Sequence, residues 1–96
     1  MKVLIDDQRH EVRVGGRPVD LTLKEFRILQ ALKTADGRVV TREKILQDIW
    51  GYARNIGVQT RTVDQHISQL RRKLTKVRAG GIVHTIQRRG YKLVEA

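Results

Sequence analysis

Between Thr60 and Lys76 the chain sets Val63, Ile67, Leu70 and Leu74 at i, i+4, i+7 and i+11. At about 100° per residue these four share one side of a helix. The other side carries Arg61, Gln65, Ser68, Gln69, Arg72 and Lys76. Arg, Gln and Ser hydrogen-bond base edges, and cations pair with phosphates. A merely solvated face would intersperse Glu with Lys. The only acid in the segment is Asp64, near the helix start, where the macrodipole favours negative charge.

Upstream, the period is shorter. Val3-Leu4-Ile5 is a short strand candidate, followed by a turn at Asp6-Asp7-Gln8. From His10 to Val14 the pattern alternates, with Val12 and Val14 on one face and Glu11 and Arg13 on the other. Gly15-Gly16 suits a two-residue hairpin turn, and Arg17 to Leu21 returns, with Pro18 marking an edge strand. Thr22-Leu23-Lys24-Glu25 has the form of a capping box. It opens a helix whose apolar arc is Phe26, Ile28, Leu29, Leu32 and Ala35, ended by Asp36-Gly37. Val39-Val40 either adds a short strand or tucks under the core. Thr41 caps a second helix, Arg42 to Trp50, with Ile45, Leu46, Ile49 and Trp50 as its buried stripe. Residues 51–59 lack helical periodicity and read as a loop. After a turn at Ala79-Gly80-Gly81, Ile82–Gln87 and Tyr91–Val94 are strand candidates, joined by a tight basic tip, Arg88-Arg89-Gly90.

The order of elements predicts an α+β winged helix-turn-helix. A small antiparallel sheet spans 1–21, three helices span 22–76, and a β-hairpin wing spans 82–94, in one domain over 1–96. Ninety-six residues do not hold two separate cores. A helix about 10–12 Å wide fits the major groove of B-DNA, about 12 Å across. An Arg-bearing hairpin tip reaches the neighbouring minor groove or its phosphates.

Charge sharpens this picture. The net charge is +10, carried unevenly: residues 49–96 hold 10 Lys+Arg against 2 Asp+Glu, and residues 1–48 hold 10 against 8. The second half is suited to a polyanion. A polybasic membrane-surface role fits less well, because no segment pairs this charge with an exposed apolar face. No apolar run approaches the roughly 20 residues that span a bilayer, and no signal-peptide core is present. With no cysteine, the chain carries neither disulfides nor thiolate metal sites, which suits a cytoplasmic protein. His10, His66 and His84 match no ligand spacing and have no carboxylate cluster, so no cofactor, no metal and no enzymatic activity are expected.

Several long segments, LTLKEFRIL (21–29), GRVVTREKILQDIWG (37–51), RTVDQHISQLRRKL (61–74) and HTIQRRGYKL (84–93), resemble the DNA-binding effector domain of OmpR/PhoB-type response regulators. The resemblance implies a four-stranded N-terminal sheet, a three-helix bundle and a C-terminal hairpin. It implies major-groove contacts from Arg61, Thr62, His66 and Gln69, and phosphate contacts from Trp50, Arg71, Thr85 and Tyr91. The helical wheel adds Gln65, Arg72 and Lys76 as DNA-binding candidates, and the basic run adds Lys73. The wing departs from the family, which often has an Arg-Gly pair where this chain has Gln87-Arg88; Arg88 or Arg89 is then the candidate for the minor groove.

The resemblance further implies double-stranded DNA with tandem half-sites as partner, RNA polymerase at the loop 51–59, and a receiver domain in a longer chain. It thereby implies transcriptional regulation in a two-component system. Two other readings compete. An RNA-binding domain would stack bases on exposed aromatics, of which the chain has few. A protein-interaction module would use the loop 51–59 and no nucleic acid.

Overall fold

The structure, a computed structural model, describes residues 1–51 and 59–95. The chain opens with three antiparallel strands, β1 (Val3–Asp6), β2 (Glu11–Val14) and β3 (Arg17–Val19), in the order β1-β2-β3. Val12 and Val14 point inward and Glu11 and Arg13 outward, as the alternation requires. The first turn lies one residue later than its sequence suggested: Asp6 ends β1, and its carboxylate accepts from the amides of Gln8 (3.0 Å) and Arg9 (3.1 Å). The described residues form three strands here, one fewer than the family resemblance implied. β3 is an edge, and Pro18 has no N–H to offer a further partner. Beyond β3 the chain passes straight to the Thr22 cap.

Three helices follow: α1 (Leu23–Thr34), α2 (Arg42–Trp50) and α3 (Thr60–Thr75). Thr22 Oγ1 accepts from the Glu25 amide at 3.2 Å, and Glu25 Oε1 accepts from the Thr22 amide at 2.9 Å, which completes the capping box. Thr41 caps α2 through the Lys44 amide at 3.0 Å. Beyond α3, Arg78 takes φ 63, its amide donating to Thr75 O (3.0 Å) and the next amide, Ala79, donating to Leu74 O (2.8 Å), the paired bonds of a Schellman motif.

The last sheet has the order β4-β6-β5, from β4 (Val40–Thr41), β5 (Val83–Ile86) and β6 (Gly90–Leu93). Val40 therefore takes the strand alternative. Gly90 is the first residue of β6 and not part of the hairpin tip. A Cβ there would lie 2.0 Å from Val40 O, so only glycine lets β6 cross β4. The turn proper is Gln87-Arg88-Arg89, closed by the Arg89 amide on Ile86 O at 2.9 Å.

One cluster joins all these layers. Phe26, Ile28, Leu29 and Leu32 of α1 meet Ile45, Leu46 and Ile49 of α2, the ridge of α3, Val3, Val12 and Val14 of the first sheet, and Val83, Tyr91 and Leu93 of the last. The ridge of α3, Val63, Ile67, Leu70 and Leu74, is fully buried. At about 1.5–3 kcal/mol each, these four contribute roughly 6–12 kcal/mol before conformational entropy is counted, enough to fix how α3 is rolled on the body.

Candidate nucleic-acid interface

Because the ridge faces inward, the opposite side of α3 must face out. Arg61, Gln65, Ser68, Gln69, Arg72 and Lys76 are all exposed. Thr62 and His66 flank them, half-buried. His66 Nδ1 lies 2.9 Å from Thr62 O. A carbonyl only accepts, so Nδ1 carries a proton and Nε2 is the nitrogen left to meet a partner. The His66 ring stands edge-on to Trp50, 5.0 Å between centroids, and Lys24 Nζ sits 5.2 Å from the Trp50 ring. Trp50 thus links α1, α2 and α3 at the start of the exposed face.

Lys24 was not foreseen. Its signal was present, since it places a cation in the first turn of α1, where the macrodipole disfavours one.

Arg88 and Arg89 are exposed at the hairpin turn. Arg88 adopts φ 64, the left-handed region, at one of the two positions where the family often has Arg-Gly. The conformational demand of the missing glycine falls on an arginine, at a cost of about 1–2 kcal/mol.

Three of the expected DNA contacts are tied into the protein. Arg71 Nε and Nη2 donate to Val83 O at 3.1 and 2.9 Å, and Nη2 also donates to Thr85 Oγ1 at 2.6 Å. The same guanidinium lies 5.4 Å from the Tyr91 ring centroid. Tyr91 is buried, and its hydroxyl donates to Asp64 Oδ1 at 2.6 Å. Burial first, and that bond to a carboxylate second, push the phenol up to about 12. A hydroxyl whose one hydrogen is held by Asp64 has none for a phosphate. Asp64 also takes Arg42 in a two-point contact, Nε at 3.0 Å and Nη2 on the second oxygen, and this hydrogen bonding raises the Arg42 guanidinium further. Asp64, near the start of α3, thus ties that helix to Arg42 of α2 and Tyr91 of β6.

Lys73 is the third. Its Nζ lies 2.6 Å from Glu25 Oε1, and Glu25 is fully buried. Burial pushes the Glu25 carboxyl up. The hydrogen bond from Lys73, the amide and hydroxyl of Thr22 and the Lys73 charge outweigh it and hold the group below its ordinary value. Thr85 stays exposed while accepting from Arg71, so its own hydrogen is not engaged there. The loop assigned to an RNA polymerase contact lies outside the described residues except at its ends, Gly51 and Gln59.

Among the described residues no group of three or more His, Cys, Asp or Glu side chains is placed to hold a metal, and no helix is long and apolar enough to cross a membrane.

The family model described as "Transcriptional regulatory protein, C terminal" matches residues 16–93. The chain belongs to this family. The sensory transduction protein RegX3 of Mycolicibacterium smegmatis is 40% identical over 92 residues, covering 95% of this chain and 40% of its own length. The phosphate regulon transcriptional regulatory protein PhoB of Pseudomonas aeruginosa is 37% identical over 90 residues, covering 94% and 38%. The chain therefore spans well under half the length of these relatives. Among solved structures, the DNA-binding domain of the response regulator AdeR, in complex with an intercistronic region, superposes with a TM-score of 0.85 at 26% identity over 100% of this chain and 96% of that one. The family's winged helix-turn-helix, as expected from the order of elements, is the fold of this chain.

Proposed function

We propose that this domain binds double-stranded DNA sequence-specifically and regulates transcription, as the effector part of an OmpR/PhoB-type response regulator. One observation carries the reading: the ridge of α3 is buried, and its Arg- and Gln-bearing side is exposed along its length. α3 lies in the major groove, where Arg61, Thr62, Gln65, His66 and Gln69 meet base edges. Arg72 and Lys76, together with Trp50 and Thr85, meet phosphates. Arg88 and Arg89 carry the wing to the adjacent minor groove. The AdeR domain, alike in fold, is in complex with DNA.

The finer parts extend that reading. Two copies occupy tandem half-sites, the loop 51–59 touches RNA polymerase, a receiver domain belongs to the longer chain, and the protein is cytoplasmic. An RNA-stacking role is not favoured, since among the aromatics of the described residues Phe26 and Tyr91 are buried and Trp50 is held by His66 and Lys24.

A salt titration tests the proposal with any duplex. Five exposed cations face outward on α3 and the turn: Arg61, Arg72, Lys76, Arg88 and Arg89. At about −0.9 per phosphate neutralised, log K against log salt falls with a slope of roughly −4.5. Fluorescence anisotropy on a labelled duplex reads that slope. Affinity indifferent to salt contradicts the proposal and favours a protein partner.

A further inference from the structure

Arg71 lies on the flank of α3, not on its outward face, and what it holds is the wing. Two of its nitrogens bond the backbone carbonyl of Val83, the first residue of β5, and one also bonds Thr85 on the same strand. Tyr91, under the guanidinium, belongs to β6. A single α3 side chain therefore touches both strands of the hairpin. Tyr91 then leads through its hydroxyl to Asp64, seven residues earlier on α3, and through Asp64 to Arg42 on α2. The hairpin is thus held against α3 by a chain of polar contacts along one side of the helix.

We propose that Arg71 is a positioning residue that fixes the angle between the recognition helix and the wing, and so sets which base pairs the wing reaches once α3 is seated. The inference rests on the DNA-binding reading above for its second half only; the clamp itself is a property of the protein alone. The geometry requires arginine. Two donors on Val83 O and one on Thr85 Oγ1 need a planar fork, and a lysine ammonium presents a single nitrogen. Charge is not the essential part, because a backbone carbonyl and a hydroxyl are both neutral acceptors. A phosphate contact needs the charge above all, and lysine keeps it as a point charge.

Arg71→Lys separates the two roles, and it is read first without DNA. The chain has no cysteine, so Ser68→Cys on α3 and Gln87→Cys at the turn, both exposed, accept a pair of spin labels. Pulsed dipolar spectroscopy reports the label-to-label distance. The parent pair gives one narrow peak, and Arg71→Lys broadens and shifts it. Tyr91→Phe keeps the ring under the guanidinium and cuts only the link to Asp64, so it broadens the peak less than Arg71→Lys does. Thr85→Val, a smaller change that removes one acceptor, gives an intermediate width and carries the same reading if Arg71→Lys fails to fold.

Selection from a random duplex library then reads the consequence. Arg71→Lys keeps the base preferences at the α3 positions and loses those at the wing-side flank, where a preferred pair is worth about tenfold. An unchanged distance distribution in Arg71→Lys overturns the proposal, and so does equal broadening in Tyr91→Phe. Broadening in a protein that selects no duplex leaves the clamp standing and removes the DNA-binding reading instead.

Discussion

Removing the Lys73 ammonium, as in Lys73→Met, tests whether this cation serves the fold or the DNA. It leaves the Glu25 carboxylate fully buried with only Thr22 as a partner, and Glu25 Oε2 already has no hydrogen bond among the described residues. Breaking a buried ion pair from one side costs about 3–5 kcal/mol. The Lys73 side chain is 33% exposed, so water already screens that end of the pair and the expected loss is smaller, about 2–3 kcal/mol. For a domain of this size that lowers Tm by roughly 10–20 °C.

The loss should depend on pH in a defined direction. In the parent protein the folded Glu25 carboxyl is held below its unfolded value, so its contribution is full above the unfolded value and fades as pH falls through the folded one. In Lys73→Met the two lowering effects of the lysine are gone and burial remains. The carboxyl climbs, the folded variant takes up a proton at higher pH, and the stability gap narrows from pH 7 toward pH 4. Urea unfolding followed by Trp50 fluorescence measures this, and Glu25→Gln/Lys73→Met should recover more than half of the loss. A salt slope of DNA binding unchanged in Lys73→Met completes the test. A Tm within a degree or two of the parent, together with a slope shallower by about one, would refute the assignment of Lys73 to the fold.

Gly90→Ala places a methyl 2.0 Å from Val40 O and should cost about 3 kcal/mol through displacement of β4 and loss of its pairing with β6, read as a lower urea midpoint. Arg88→Gly relieves the left-handed arginine and should raise stability by about 1 kcal/mol while making the salt slope shallower by about one, measured by thermal melting and anisotropy. Lys76→Ala, at an exposed cation, should leave Tm nearly unchanged and weaken binding to all duplexes alike.

The helices were legible because their signals are local. The capping box at Thr22, the cap at Thr41 and the four-residue ridge of α3 each fix an element within a few residues. The exposed face of α3 followed from the same ridge. What could not be read was which polar residues meet each other across the fold. Lys73 and Arg72 are neighbours in a basic run, yet one reaches Glu25, 48 positions away, and the other faces out. Tyr91 and Arg71 look like surface polar groups until Asp64 and Val83 are brought beside them. Gly90 reads as a turn glycine because nothing nearby in sequence shows that β4 passes over it.

Selection of the chain and of Arg61→Ala from a random duplex library tests the central claim, that the outward side of α3 reads base edges. The chain should enrich a defined motif, and Arg61→Ala should lose preference at one position worth about 1–3 kcal/mol while keeping the rest. An unenriched library, or the same motif from both proteins, would contradict it.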